Sequence, residues 1–310
     1  MTMICGVDVC KAWLDAWVEP GGHRRFANSE QGVLDLVTFC REHGAELVVM
    51  EASGGIERPA FIALWQQGQP SALANARSVR KFAEAMGYLE KTDRLDAEMI
   101  ARFALAKRMT PMPPPSDDQQ KLTALAARLR QVTADLGAQK RRLHSTQEPV
   151  AIASLKEAIA FFQSQARQLV AQIGGLINAD PLWTALDHTF RSVKGVADRT
   201  VAVVLAELPE IGTLSNRKIT KLAGLAPLAD DSGKRQGHRS IRGGRAPVRS
   251  ILFLVADVAR KYDPTLAAFR DRLIAKGLSK MEVRVALARK LLVRLNAKAR
   301  DTRAQLPYAA

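Results

Sequence analysis

A cluster of prolines near residue 110 divides the sequence into two parts with different periodicities. Three consecutive prolines end the segment Thr110–Pro115, and a helix cannot continue through them, so we expect a linker over residues 109–118. Before the linker, short apolar runs alternate with helical patterns. After it, apolar residues recur at helical spacing. The sequence therefore predicts an α/β domain over residues 1–108 and a largely helical remainder.

Five short segments in the first part predict strands, and all but the third are mainly apolar. They are Ile4–Val9, Ala12–Val18, Arg24–Ala27, Glu46–Glu51 and Ser71–Asn75. Helical patterns separate the later runs, and a last helix of this domain is expected to extend through Lys107. Three early strands followed by alternating helices and strands are typical of an α/β domain.

Two apolar stripes at helical spacing occupy residues 119–180, one before Pro149 and one after it. Each spans about three heptads, so we expect a coiled-coil-like antiparallel hairpin or pairing with another subunit. An ordinary helical linker packed on its own domain is the alternative. Residues 181–310 are helical in pattern and increasingly basic, which predicts a mainly α C-terminal domain.

The charge of the chain restricts its partners. Lys and Arg outnumber Asp and Glu by 46 to 31, for a formal net charge of +15. Such a balance favours an anionic polymer, and nucleic acid is the expected partner, although some proteins are simply basic.

Three cysteines lack zinc-site or disulfide spacing, which predicts reduced thiols. No apolar stretch approaches the roughly 20 residues of a membrane span, and no signal-peptide pattern precedes the first strand. We therefore expect a cytoplasmic protein without a membrane partner.

Four carboxylates in the first domain predict a metal site. Asp8 lies inside the first apolar strand pattern, Glu51 ends another, and Asp93 and Asp96 stand one helical turn apart. A buried bare carboxylate is costly, and two close acids repel unless a cation lies between them. Neutralisation by Lys91 and Arg94 is the structural alternative for the last pair. The order of the four acids fits a ribonuclease-H-like fold holding two Mg²⁺ ions, with Mn²⁺ as a possible substitute.

A basic, glycine-rich stretch in the C-terminal part predicts phosphate binding. Between Arg217 and Arg249, nine Lys or Arg residues face only two acids. Such a segment suits a nucleic-acid backbone, and a solvated basic loop is the alternative. The candidate phosphate ligands are Lys234, Arg235, Arg239, Arg242, Arg245 and Arg249.

Sequence blocks at both ends of the chain resemble the IS-one-ten family of insertion-sequence transposases. The resemblance is carried by Gly6–Lys11, Met50–Gly54, Lys91–Ala97, Leu222–Pro227, Asp231–Gly233, Ile241–Arg245 and Arg249. It implies a RuvC-like N-terminal domain whose DEDD site is Asp8, Glu51, Asp93 and Asp96. It also implies a C-terminal transposase domain with Ser232 as a serine nucleophile, a bridge RNA that pairs with donor and target DNA, and a homo-oligomer, either a dimer or a dimer of dimers.

The residues around Ser232 also allow a plainer interpretation, in which the hydroxyl bonds its own backbone in an Asp-Asp-Ser-Gly turn. Ser240 and Ser250 are weaker nucleophile candidates. Together the patterns and the resemblance predict a recombinase that cuts and rejoins DNA through a serine–DNA intermediate with Mg²⁺. One alternative is a RuvC-like nuclease or junction resolvase that uses water. The other is a non-catalytic nucleic-acid-binding assembly protein whose acids are structural.

Overall fold

A computed structural model describes residues 3–88, 93–233, 237 and 239–306, with the side chains of Asp93 and Arg94 outside that description. The chain divides into two compact units, residues 1–115 and 116–310. The division falls within the predicted linker. Each unit has its own apolar core. The prediction of an α/β N-terminal part and a mostly helical remainder is confirmed at this level.

Five strands of the first unit form one sheet in the order β3-β2-β1-β4-β5. They are β1 (Ile4–Val9), β2 (Trp13–Val18), β3 (Gly22–Ala27), β4 (Leu47–Glu51) and β5 (Ser71–Ala74). The first three strands are antiparallel neighbours, whereas β4 runs parallel to both β1 and β5. All five predicted strands are present, with ends that differ by up to two residues.

Helices cover both faces of this sheet because its central strands β1 and β4 carry apolar side chains on both sides. One face packs against α1 (Glu30–Glu42) and α2 (Arg58–Gln66). The other packs against α3 (Ala76–Ala85) and α4 (Asp93–Lys107). Cys5 and Cys40 are buried in the first of these cores, where a hydrogen bond with Cys40, together with burial, raises the pKa of the Cys5 thiol. All three cysteines are free thiols.

The second unit is built from helices around one core. They are α5 (Asp117–Ser145), α6 (Pro149–Ala179), α7 (Pro181–Arg191), α8 (Asp198–Glu207), α9 (Asn216–Leu222), α10 (Ala246–Tyr262), α11 (Pro264–Ala275) and α12 (Lys280–Gln305). The Ser116 hydroxyl accepts from the Gln119 N–H and starts α5, just after the prolines. Pro149 occupies the first turn of α6, where its missing N–H leaves no hydrogen bond unmade. It therefore begins a helix instead of kinking one.

The two long helices α5 and α6 pack on each other and on the C-terminal helices. Their buried residues lie in the half of each helix remote from the connecting turn, for example Leu122 on α5 and Ile173 on α6. Nearer the turn, Val150 and Phe161 are 76% and 57% exposed. One half of this helical pair thus belongs to the core of its own unit, while the other half presents apolar side chains to solvent. No helix in the described part of the chain is long and apolar enough to cross a membrane.

Candidate active site

Asp8 and Glu51 lie at neighbouring positions at the carboxyl ends of β1 and β4. The parallel register pairs Val7 with Met50, so the next residue along each strand is one of these acids. Side chains alternate along a strand, and Val49 packs in the core beneath α3 and α4. Two residues on, Glu51 points to the same face. The sheet therefore places both carboxylates beside the helices that follow β5.

A glycine brings α4 against β1 and carries Asp96 to the same place. A Cβ atom built on Gly6 would lie 2.2 Å from the carbonyl oxygen of Ala97 and 2.5 Å from the amide nitrogen of Ala101. Only a glycine permits so close an approach of helix to strand. Asp96, one residue before Ala97, thereby lines a cleft of about 460 Å³ together with Asp8 and Glu51.

The structure therefore brings three of the four predicted acids to one cleft in the first unit. The fourth, Asp93, is the first residue of α4, and its side chain lies outside the described residues. Asp8, Glu51 and Asp96 are all half-buried, and each also takes part in an interaction with the protein.

The donor set in this cleft suits a hard divalent cation. Within the described residues, no group of three or more Asp, Glu, His or Cys side chains is arranged closely enough to form a ready-made metal cage. Mg²⁺, however, usually takes one or two carboxylates and completes its octahedron with water and substrate phosphate. Three carboxylates around one open cleft are consistent with that mode of binding. The residues present therefore fit Mg²⁺ by ligand type.

Two arginines that sequence reasoning missed line the same cleft. Arg77 and Arg80 are one turn apart on α3, so both face the acids. Arg77 is exposed, and the Arg80 Nε lies 3.3 Å from the Glu84 Oε1 on the same helix. The sequence did contain a signal for them, namely two arginines three residues apart directly after a predicted strand. That strand, β5, ends beside Glu51 in the sheet, so residues that follow it lie near the acids. The cleft therefore combines carboxylates with cations, as a phosphate-handling site requires.

A buried carboxylate that sequence reasoning also missed lies beside Asp8 on the neighbouring strand. Asp15 on β2 pairs with Asp8 in the strand register and is 3% exposed. The Arg25 guanidinium donates to it in a bidentate manner, Nε to Oδ1 at 2.9 Å and Nη2 to Oδ2 at 3.0 Å, and the His23 ring lies 2.8 Å away. These contacts from β3 offset the charge of Asp15. In the sequence, the burial of Asp15 was indicated only by the alternation of polar and apolar residues along β2 and β3.

Ser232 lies in the second unit, in a loop defined here as the Ser232 loop, residues 228–240. A backbone hydrogen bond of 2.9 Å from the Leu228 N–H to the Ser240 carbonyl closes the loop. Ser232 is exposed, and the neighbouring Asp231 accepts from the Gly237 N–H at 3.2 Å. The Arg239 guanidinium lies 3.5 Å from the other Asp231 oxygen. The loop thus presents its serine hydroxyl to solvent beside an arginine.

The predicted phosphate ligands around this loop differ in their surroundings. Arg239 and Arg242 are exposed. Arg245 donates to both oxygens of Glu210, at 2.5 and 2.6 Å, and Arg249 donates to the Gly243 carbonyl at 2.5 Å. The last two arginines thus hold the base of the loop, and nucleic-acid binding by them stays a prediction. Lys234 and Arg235 lie outside the described residues.

Two glycine motifs that carry the resemblance meet beneath the Ser232 loop. A Cβ atom on Gly244 would lie 2.2 Å from the Gly224 nitrogen, and both glycines have positive φ angles of 68°. The Arg245 N–H donates to the Leu222 carbonyl at 2.8 Å in the same place. These motifs therefore have a structural role, because only glycines allow the two backbone segments to touch.

Family comparisons match both units of the chain. The model for IS110-type DEDD transposases, described as "Transposase", matches residues 5–148, and that of the "Transposase IS116/IS110/IS902 family" matches residues 187–271. The chain belongs to the IS110 family of insertion-sequence transposases. Asp8, Glu51 and Asp96 of this transposase lie in the first matched region, and Ser232 lies in the second.

This transposase is similar to two pilin gene-inverting proteins and to an insertion-element protein. It is 27% identical over 303 residues to the pilin gene-inverting proteins of Moraxella lacunata and Moraxella bovis, covering 93% of this chain and 92% of each relative. It is also 32% identical over 155 residues to the insertion element IS110 uncharacterized 43.6 kDa protein of Streptomyces coelicolor, covering 49% of this chain and 37% of that protein. The family places this transposase among the proteins of DNA recombination.

Proposed function

We propose that this transposase cuts and rejoins DNA through a covalent bond between Ser232 and a DNA phosphate. The Ser232 hydroxyl would give up its proton to solvent, and its Oγ would form a bond to phosphorus while the bond between phosphorus and a deoxyribose oxygen breaks. That oxygen would leave with the electron pair and take up a proton from solvent. A hydroxyl of a second strand would then attack the phosphoserine and release the serine. The phosphodiester count is conserved, so rejoining needs no external energy source.

The cleft of the first unit would hold the metal ions of this reaction. Asp8, Glu51, Asp93 and Asp96 would ligate Mg²⁺, in two sites, with Mn²⁺ as a substitute. When bound, Mg²⁺ stabilises negative charge on the reacting oxygens and lowers the pKa of a coordinated hydroxyl. Arg77 and Arg80 would bind the phosphates beside the scissile bond, and Arg239 and Arg242 would bind those near the serine.

The observation that carries this proposal is the meeting of Asp8, Glu51 and Asp96 in one cleft, from two strands and a helix far apart in sequence. A sheet in the order β3-β2-β1-β4-β5 with acids at the ends of β1 and β4 also supports the ribonuclease-H-like, RuvC-type interpretation of this domain. The name of the Moraxella relatives supports a reaction that both cuts and rejoins, since a DNA segment can be inverted in no other way.

Donor and target DNA are the proposed substrates, and a bridge RNA that pairs with both is the proposed guide. The net charge of +15 supports a large nucleic-acid partner without distinguishing RNA from DNA. We also propose a homo-oligomer, supported by the apolar side chains of Val150 and Phe161 exposed near the turn between α5 and α6.

One observation favours a second candidate function, a metal-dependent nuclease or junction resolvase that uses water. All the acids of the cleft belong to the first unit, whereas Ser232 belongs to the second. The acids of such an enzyme would activate water without the serine. The two functions make opposite predictions for a serine variant.

The deciding experiment measures covalent protein–DNA adducts. Radiolabelled DNA containing the ends of the element is incubated with Mg²⁺ and the protein together with the RNA that copurifies with it, and the products are separated on a denaturing gel. We expect labelled adduct with the wild type, and a loss of at least about a thousandfold in both adduct and cleavage with Ser232→Ala or Asp8→Asn. Ser240→Ala, which removes the hydroxyl at the closing pair of the same loop, is the matched control and should retain the adduct. Cleavage by Ser232→Ala at the wild-type rate would instead establish the water-using nuclease.

A further inference from the structure

An apolar pocket lies beside the base of the Ser232 loop, within the second unit. Its volume of about 700 Å³ falls in the range of roughly 300–1,000 Å³ that is typical of ligand sites. The loop contributes Ser240, the chain on either side of the loop contributes Pro227 and Ile241, and α11 and α12 contribute residues such as Phe269 and Ala286. The pocket thus shares its wall with the segment that carries the serine.

The pocket combines apolar walls with cationic side chains. Arg239, Arg289 and Lys290 belong to its lining, and Glu282 is the acid among the described lining residues. Glu282 accepts from the Ser279 N–H and hydroxyl, in the capping box that begins α12. The Lys290 ammonium lies 4.1 Å from the centre of the Phe269 ring. The pocket therefore suits a ligand with a flat apolar body and a negatively charged group.

We propose that this pocket receives one unstacked nucleobase of the DNA on which Ser232 acts. This inference rests on the proposed function, because it assigns a place to DNA beside the serine. The faces of a base match the apolar walls, and its phosphate matches the arginines. Enzymes that act on nucleic acid pay a modest unstacking cost to extrude a base, and a receiving pocket recovers it. An apolar side chain from a second copy would match the apolar walls, but it would offer no negative charge to Arg239, Arg289 and Lys290.

The test uses DNA duplexes that differ in a single base. One carries an extrahelical 2-aminopurine, and the other is fully paired with the same flanking sequence. A base that is already unstacked avoids the unstacking cost, so we expect the wild-type protein to bind the first duplex about tenfold more tightly. Ala286→Trp places an indole ring inside the pocket, where the base would lie. It should abolish this preference while leaving the affinity for paired DNA within about twofold. Fluorescence anisotropy of an end label measures both affinities.

A matched control and a second variant keep the test independent of folding. Ala268→Trp makes the same change at an exposed site on α11 that is not among the pocket residues, and it should keep the preference. Met281 lines the pocket and is 59% exposed, so Met281→Glu adds a repelling charge with little risk to the core. It should lower the preference at least threefold.

Three results would overturn the base pocket. In the first, the wild type binds both duplexes equally. In the second, the preference survives both Ala286→Trp and Met281→Glu. In the third, the wild type is a dimer without base preference and Met281→Glu converts it to a monomer, which would assign the pocket to a second copy. Ser232→Ala separates this inference from the proposed function. This variant should keep the preference, because Ser232 is not among the pocket residues. If the variant still formed the covalent adduct, the assignment of Ser232 as nucleophile would be wrong, but the base pocket would stand.

Discussion

Gly6 controls the distance between β1 and α4, and through it the position of Asp96. The absent side chain leaves space for the backbone of Ala97 and Ala101, which a Cβ atom would approach to 2.2 and 2.5 Å. These neighbours are backbone atoms of a helix packed on the sheet, so they cannot turn aside as a flexible side chain would. A methyl group at this position must therefore displace the helix.

We expect Gly6→Ala to destabilise the protein by about 3 kcal/mol and to lower DNA cleavage more than tenfold, because α4 carries Asp96 away from Asp8. Urea unfolding followed by circular dichroism measures the first effect, and the adduct assay measures the second. Gly174→Ala is the matched control. A Cβ atom there meets nothing within 4 Å, and the residue lies inside α6, five residues before its end, so this variant should gain about 0.5–1 kcal/mol. Equal stability of Gly6→Ala and the wild type would contradict the packing described here.

At the scale of secondary structure, α3 gives the acid cleft its positive charge. Its N-terminus is capped by the Asn75 side chain directly after β5, so the first turn begins at the sheet edge next to Glu51. Arg77 in that turn lines the cleft. A helix of the same length with its cations one residue later would point them away from the acids, since neighbouring residues on a helix face different directions.

We expect Arg77→Gln to weaken DNA binding several-fold and to reduce the slope of log affinity against log salt concentration by about one, because one phosphate contact is lost. Binding titrations at several salt concentrations provide both values. Lys81→Gln removes the same charge from an exposed position on α3 that is not among the residues of the cleft, and it should change the slope less. If both variants behave alike, Arg77 acts only through the overall charge of the protein.

The elements were more predictable from sequence than the site. Apolar runs bounded by turn residues predicted four of the five strands, because burial on a sheet requires that pattern. The edge strand β3 carries His23, Arg24 and Arg25 and was predicted only over its last four residues. The meeting of Asp8, Glu51 and Asp96 depends on strand order and on the Gly6 contact, which no local pattern encodes. The burial of Asp15 was not predicted from the sequence for a similar reason. Its partners His23 and Arg25 lie on another strand, so its burial becomes understandable only when the sheet register is known.

At the scale of the whole molecule, the proposed chemistry needs groups from both units. The acids lie in residues 1–115 and Ser232 lies in residues 116–310. Between them in sequence, the helical pair α5 and α6 buries one half in its own core and exposes Val150 and Phe161 near its turn. Exposed apolar side chains on a long helical pair favour association with a second copy. We therefore expect the acids of one subunit to act with Ser232 of another.

Complementation between two inactive variants tests this expectation. Co-expressed Asp8→Asn and Ser232→Ala chains should recover about a quarter of the wild-type adduct, although each variant alone forms none. With random pairing, half of the dimers are mixed, and only one of the two sites in each mixed dimer combines intact acids with an intact serine from the other subunit. If each chain used its own serine, the mixture would stay inactive. Co-expression of wild type with the double variant is the control, because its mixed dimers are inactive only when the site is shared.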